Sequence, residues 1–445
     1  MRDLIKRTSQ NTFLKVTGAN GVISVAKALL VVISNKVLAI FVGATGIAMV
    51  GQLTSFTSII TQLSNGGFNQ GLTRYIAERK DDKREVMKFI GTAFIIAFTI
   101  TSLTALLIVI FSGTISQKLF STSTYISILV IFAVTLFFYN LNSLILAIVN
   151  GFQAYRKYFS INITTTIVGF VLTVTLVILF REYGALLAIV LSQSIICFFA
   201  WLYIRKEYWI KAFSFKLFDK PKLLLLLRYT AITILGSVIW PLVSIVIRTY
   251  VIRNISAEEA GLWQATRYID NYVVSIATGS FTVYVLPKLS SISSSEMLKK
   301  ELASIYRIII PLSLFGFTLI YLLRDFIVVI LYSKDFTKVS EYLLLQMVAS
   351  FFWLCKSPLM NFMLAKGMVK TFIINELIFA VFVIVLSVIL IPKYQIQGIQ
   401  FTFALQSFLY LVVSVFLIRR YLKINNIGDS GIRFEPNMNQ GDVTL

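Results

Sequence analysis

Twelve apolar runs, each long enough to cross a lipid bilayer as a helix, constrain this sequence more than any other feature. Inside a bilayer every backbone polar group must be satisfied within the protein, so such runs fold as α-helices. Hydrophobic residues make up 57% of the 445 residues, far more than a soluble protein needs. The sequence therefore predicts an all-α polytopic membrane protein with twelve transmembrane helices, at about 17–40, 46–68, 89–112, 124–149, 160–180, 184–204, 229–252, 261–286, 304–323, 341–364, 371–391 and 397–418.

The charge distribution predicts how the chain is oriented. The net charge is +21, which in a soluble protein would indicate a nucleic-acid partner. Here the cations lie mostly between the apolar runs: 28 Lys and Arg fall on the side of the N-terminus and seven on the opposite side. Because cytoplasmic segments carry the excess of Lys and Arg, we expect both termini in the cytoplasm and no nucleic-acid partner.

A basic segment at 205–228 divides the chain into two similar halves. A shift of 212 residues places Gln52 on Gln264, and a shift of 213 places Gln193 on Gln406. Each half has six runs, so both halves insert the same way up, related by a pseudo-two-fold axis with a central cavity between them. We expect four parts: an N-terminal six-helix lobe (1–204), a basic cytoplasmic linker on anionic lipid (205–228), a C-terminal six-helix lobe (229–423) and a disordered cytoplasmic tail (424–445).

The run at 261–290 carries polar residues that a lipid-facing helix would avoid. At about 100° per residue, Gln264, Arg267 and Asn271 lie on one narrow stripe, and Asp270 can pair with Arg267 at i,i+3. The second run has a similar stripe, which includes Gln52, Ser55, Ser58 and Gln62. Such stripes face a protein interior or a water-filled cavity. The structural alternative is an Arg–Asp pair that locks helix packing.

Four deep cations, Lys27, Arg248, Arg267 and Lys356, face only two deep acids, Asp270 and Glu376. An unpaired cation in the membrane is costly, so an anionic ligand or water is expected near them. We therefore predict a substrate site formed by the four cations together with the amides Gln52, Gln264 and Asn271. Snorkelling is the alternative for Lys27 and Lys356.

The two deep acids are candidates for binding a coupling H⁺ or Na⁺. The simpler explanation for Asp270 is that it is the partner of Arg267. Glu376 has no partner nearby in sequence, and its alternative is a position near the cytoplasmic interface.

Catalytic, metal and cofactor sites are not expected. The chain has no His, and Cys197 and Cys355 lie in separate apolar runs. No Gly-rich phosphate loop is present, and no connection is long enough for a nucleotide-binding domain. The sequence thus indicates a transporter that works by alternating access on a gradient or downhill, and not an enzyme.

Four stretches resemble the Wzx-type polysaccharide flippases, the group that includes O-antigen and enterobacterial common antigen flippases: NKVLAIFVGATGIAMVGQLTSF (35–56), NGGFNQGLTRYIAE (65–78), GLWQATRYIDNYVVSIATGSFTVYVLPKLS (261–290) and LLRDFIVVILYSKDFT (322–337). The similarity covers about residues 15–423, within the multidrug/oligosaccharidyl-lipid/polysaccharide exporter superfamily. Lys27, Lys36, Arg324 and Asp325 lie in family-like stretches, whereas Arg267 stands where the family is not expected to require a cation.

The resemblance implies a function and partners. The substrate would be an undecaprenyl-pyrophosphate-linked oligosaccharide, an O-antigen or enterobacterial common antigen repeat unit, moved from the cytoplasmic to the periplasmic leaflet of the bacterial inner membrane. A polysaccharide polymerase and a chain-length regulator are the implied partners, besides membrane lipid. A cation-coupled antiporter of small organic solutes is the alternative, with a non-transporting assembly partner as a lesser one. Organic cations require acidic cavities, and the deep charges here are mostly basic.

Overall fold

The computed structural model describes the backbone of residues 2–292 and 295–424 and the side chains of residues 30, 32–192, 194–227, 230, 233–275, 288–289, 292 and 296–422. Every regular element in these ranges is helical. The α-helices are α1 (Arg2–Ser64), α2 (Asn69–Arg79), α3 (Lys83–Ile110), α4 (Ser112–Phe120), α5 (Ile126–Gly151), α6 (Tyr155–Ile204), α7 (Lys220–Asn254), α8 (Ala257–Ser291), α9 (Ser295–Leu322), α10 (Arg324–Leu331), α11 (Lys338–Ala365) and α12 (Val369–Ile424).

Three of the long helices break at residues with positive φ, which separates each into two segments. The breaks lie at Gly43 in α1 (φ 70°), Arg181 in α6 (φ 49°) and Gln395 in α12 (φ 50°). A residue with a β-carbon rarely adopts a positive φ, so Arg181 and Gln395 mark interruptions of the helices α6 and α12. All three fall between consecutive predicted apolar runs, and the twelve runs are thereby accounted for.

Eight of the described helices are long and apolar enough to cross a membrane: α1, α3, α5, α6, α7, α9, α11 and α12. Helix α8, with its Arg and Asp, covers the remaining predicted run over 35 residues. The prediction of an all-α polytopic membrane protein is confirmed.

The chain divides into two compact units. Among the described residues, unit 1 comprises 2–265 and 326–338, and unit 2 comprises 266–292, 295–325 and 339–424. The lobes predicted at 1–204 and 229–423 remain a prediction.

In unit 1 the basic segment at 205–228 contributes a few buried residues to a hydrophobic core. Trp209 and Ala212 are buried with residues of α2, α3 and α5, including Phe89 of α3. The backbone N–H of Asp219 donates to Thr92 Oγ1 at 3.0 Å, and Lys222 pairs with Glu85. The segment is therefore structured and attached to α3, as well as basic.

Unit 2 is held together by polar and aromatic contacts among α9, α11 and α12. The Tyr306 hydroxyl of α9 donates to the carbonyl oxygen of Cys355 in α11 at 2.8 Å. Phe352 of α11 packs edge to face on Phe408 of α12, with ring centroids 5.2 Å apart. These contacts position the charged side chains of α11 and α12 described below.

Candidate functional site

Unit 1 contains a cavity of about 510 Å³ formed by α1, α5 and α6. None of its described lining residues is charged. Most of them carry a hydroxyl or an amide: Ser34, Thr54, Thr57, Ser58, Thr61, Gln62, Thr135, Tyr139, Thr165, Thr166, Thr173 and Ser192. The polar stripe predicted in the second run supplies Ser58 and Gln62. The hydroxyls of α5 and α6 were not predicted, although the run of three threonines at 164–166 was a signal for them.

A second polar group in unit 1 surrounds Arg248 of α7, which is only 2% exposed. Its guanidinium donates from Nη1 to Gln52 Oε1 at 2.9 Å and from Nη2 to Gln264 Oε1 at 2.5 Å. It also lies 5.6 Å from the ring centroid of Trp263, and Gln52 Nε2 donates to Thr249 Oγ1 at 2.7 Å. Three of the predicted site residues therefore do come together, as a cross-link between α1, α7 and α8.

The helices of this cross-link approach closely at Gly261 of α8. A β-carbon at Gly261 would lie 1.7 Å from the carbonyl oxygen of Ala44 in α1. Only glycine permits such an approach of backbone to backbone. The short distance places Gln264 beside α1, within reach of Arg248.

In unit 2, Arg267 and Asp270 form the predicted i,i+3 ion pair, with Nη1 and Oδ2 3.2 Å apart. Asp270 is 5% exposed and also accepts a hydrogen bond from Ser350 of α11. The side chain of Arg267 stays 27% exposed, with its guanidinium 5.2 Å from the ring centroid of Phe403. Asn271, predicted to share this site, is exposed.

A second charged group in unit 2 joins Lys356 of α11 to α12. The Lys356 ammonium is buried and lies 4.4 Å from the ring centroid of Tyr410. Glu376, only 3% exposed, interacts electrostatically with both Lys356 and Tyr410. The structure thus provides Glu376 with a partner twenty residues away in sequence.

The side chain of Lys27, the fourth predicted cation, lies outside the described residues. Lys36, one of the family-like positions, donates from Nζ to the carbonyl oxygen of Val329 at 3.0 Å. Apart from the exposed Asn271, the predicted site residues with described side chains therefore form three groups: one around Arg248 in unit 1, and one each around Asp270 and Lys356 in unit 2.

Comparison with known proteins identifies a matching family and two similar proteins. Residues 13–293 match the model of the polysaccharide biosynthesis protein family. The Lipid III flippase of Escherichia coli (strain K12) is 24% identical over 407 residues, which cover 91% of this chain and 97% of that protein. The Lipid III flippase of Shigella flexneri matches with the same figures.

Solved structures of transporters share the fold. An inward-facing multidrug resistance MATE family transporter of the MOP superfamily superposes with a TM-score of 0.76 at 13% identity, covering 91% of this chain and 96% of that one. A MOP superfamily transporter from Pyrococcus furiosus, whose binding pocket has reverse polarity, superposes with a TM-score of 0.66 at 13% identity, covering 92% of this chain and 94% of that one.

These relatives confirm the resemblance drawn from the sequence and indicate a transporter rather than an enzyme. They also confirm the multi-pass membrane fold, since the MATE match covers nine-tenths of the chain. The family model alone matches well over half of the sequence. The protein therefore belongs to the polysaccharide biosynthesis protein family.

Proposed function

We propose that this protein is a flippase that moves an undecaprenyl-pyrophosphate-linked oligosaccharide from the cytoplasmic to the periplasmic leaflet of the bacterial inner membrane by alternating access. The observation that carries the proposal is the extent of the match to the Lipid III flippases, which covers 97% of their length. A match of that extent spans nearly the whole length of those proteins and not one shared segment.

The cavity in unit 1 supports a sugar-bearing substrate. Hydroxyl and amide side chains form most of its lining, and such groups exchange hydrogen bonds with sugar hydroxyls. An antiporter of organic cations would require acids, and none lines the described part of this cavity. The described deep acids of unit 2 already face cations, Asp270 with Arg267 and Glu376 with Lys356.

The charged groups of unit 2 are the proposed sites for the pyrophosphate and a coupling ion. Arg267 is the best placed described cation for the anion, because its side chain is 27% exposed while its partner Asp270 is buried. Asp270 and Glu376 are the proposed ion-coupling residues. Lys27 and Lys356 complete the proposed cationic set.

Both termini are proposed to lie in the cytoplasm, because 28 Lys and Arg residues fall on the side of the N-terminus and only seven on the opposite side.

A reconstituted transport assay tests this function. The purified chain is placed in proteoliposomes that contain a radiolabelled undecaprenyl-pyrophosphate disaccharide in the inner leaflet, and a membrane-impermeant glycosidase outside reports arrival in the outer leaflet. Faster release of label than from protein-free liposomes is the expected result. Gradient-driven export of a cationic dye by the same preparation, with no movement of the lipid, would favour the antiporter instead.

A further inference from the structure

We propose that the cavity between α1, α5 and α6 is a binding subsite for uncharged sugar rings, distinct from any site that binds the pyrophosphate. The inference rests on the proposed function and specifies which part of the substrate this cavity accepts. It follows from three properties of the described lining: its hydrogen-bonding capacity, its aromatic surfaces and its lack of charge.

The first property is that six hydroxyls of the lining already donate a hydrogen bond within their own helix. Each donates to a backbone carbonyl oxygen three or four residues earlier in its own helix, at 2.9 to 3.2 Å, as seen for Ser34, Thr57, Thr61, Thr135, Thr166 and Ser192. A hydroxyl that donates in this way keeps its oxygen lone pairs for another partner. At these six positions the cavity therefore presents hydrogen-bond acceptors.

An acceptor-rich lining distinguishes between the two polar parts of the proposed substrate. Every free hydroxyl of a neutral sugar carries a hydrogen to donate, as do the N–H groups of acetamido sugars. An ionised phosphate or carboxylate has acceptors alone and needs donors or cations around it.

The second property is the presence of flat apolar surfaces among the hydroxyls. Phe132, Tyr139 and Phe170 contribute aromatic rings to the lining. A pyranose ring has apolar C–H faces and polar edges, so rings and hydroxyls together match its two kinds of surface. The volume of about 510 Å³ falls within the range of roughly 300–1,000 Å³ typical of small-molecule pockets.

The third property, the lack of charge in the described lining, makes the cavity selective. Moving an ionised group out of water without a counter-charge is far more costly than moving a hydroxyl that finds a partner. An acidic sugar or a pyrophosphate is therefore expected to be excluded, whereas a neutral or N-acetylated ring is expected to bind.

Binding of short oligosaccharides to the detergent-purified full chain tests this subsite. The probes are N,N′-diacetylchitobiose and a disaccharide of the same size that contains a uronic acid, each followed by saturation-transfer NMR. Inorganic pyrophosphate, which has no C–H proton to observe, is added as a competitor of each disaccharide. The neutral disaccharide is expected to give the strongest transfer, with at least tenfold weaker binding of the acidic one. Equal binding of the two disaccharides, or none of the neutral one, would overturn the inference.

Threonine-to-valine variants locate the binding. Thr135→Val and Thr166→Val each remove one acceptor from the cavity and should weaken binding of the neutral disaccharide about fivefold, while Thr135→Ser should keep most of it. The matched control is Thr99→Val, because Thr99 makes the same bond to the carbonyl oxygen of Ile95 at 2.9 Å but is exposed on α3. Equal loss in the control, at unchanged melting temperature, would place the binding elsewhere.

One further variant tests whether Lys27 adds positive charge to the cavity. The side chain of Lys27 lies outside the described residues, so Lys27→Gln is compared with the native chain for each probe. Tight binding of the acidic disaccharide that disappears in Lys27→Gln would show that the subsite is cationic and would refute the inference. The binding tests need no transport, so they can fail while flipping of the lipid-linked substrate is still observed.

Discussion

Replacing Arg248 with alanine is expected to destabilise unit 1 rather than simply remove a substrate ligand. The guanidinium is 2% exposed and donates to Gln52 of α1 and Gln264 of α8 at 2.9 and 2.5 Å. Both contacts cross between helices, the first to α1 over 196 residues of sequence and the second to the next helix, α8, over 16. Arg248 therefore joins three helices of the same unit.

The size of the effect follows from the contacts that disappear. Two hydrogen bonds from a charged donor contribute about 1.5 kcal/mol each, and the contact with the Trp263 ring adds about 1 kcal/mol. The free energy of unfolding should fall by about 4 kcal/mol, which corresponds to a Tm lower by roughly 8 °C at about 2 °C per kcal/mol for a large domain. Arg248→Lys should lose about half as much, because one ammonium group cannot reproduce the two-pronged contact.

The measurement is thermal unfolding of the detergent-purified variants, with the transport assay run on the same samples. Arg253→Ala is the matched control, since Arg253 lies five residues later in α7 and is exposed. It should leave Tm unchanged. If Arg248→Ala keeps the native Tm and loses transport, the guanidinium serves the substrate and the structural reasoning is refuted.

Two further substitutions test other parts of the structure. Arg267→Ala is expected to lower the yield of folded protein in size-exclusion chromatography, because Asp270 stays buried without its cation. The double variant Arg267→Ala with Asp270→Ala should recover the yield and still fail to transport, and recovery of transport would show the pair to be structural only. Gly261→Ala should lower Tm by several degrees, since its β-carbon would collide with α1. Gly316→Ala, which has open space around it, should leave Tm unchanged or slightly higher, and equal Tm values would contradict the close approach.

The helices could be predicted because a bilayer leaves few alternatives. Each apolar run of about twenty residues becomes a helix, and breaks occur where the runs end. The i,i+3 pair of Arg267 and Asp270 was equally predictable, since both residues lie on one helix and the spacing fixes their proximity. Within a single helix, sequence distance determines spatial distance.

Contacts between helices could not be predicted in the same way. Nothing near Arg248 in sequence shows that its partners are two amides, one of them 196 residues away. The partner of Glu376 was equally hidden in the sequence, since Lys356, with which this buried acid interacts, belongs to another helix. Such pairings depend on the order in which helices pack, which periodicity does not encode.

The cavity in unit 1 was missed for a different physical reason. A serine or threonine in an apolar helix can satisfy its hydrogen on its own backbone, so its presence is compatible with lipid, with packing or with a cavity. Only the convergence of α1, α5 and α6 distinguishes these cases, and that convergence is a tertiary property. In the basic segment at 205–228 the sequence likewise does not show which aromatic residues are buried. Trp209 is buried, whereas Phe215 and Phe218 are largely exposed.

The observed pairing changes how an anion would bind to the cations of unit 2. The sequence predicted more deep cations than deep acids, and therefore cations available to an anionic substrate. In the structure, however, Arg267 pairs with Asp270, and Lys356 interacts with Glu376. A pyrophosphate that approaches either cation must compete with a carboxylate. Under the proposed function, a proton or Na⁺ that neutralises the carboxylate would release the cation for the substrate. By thermodynamic reciprocity, the substrate would then raise the affinity for that ion by the same factor. Paired charges are therefore better suited than isolated cations to couple a lipid-linked anion to an ion gradient.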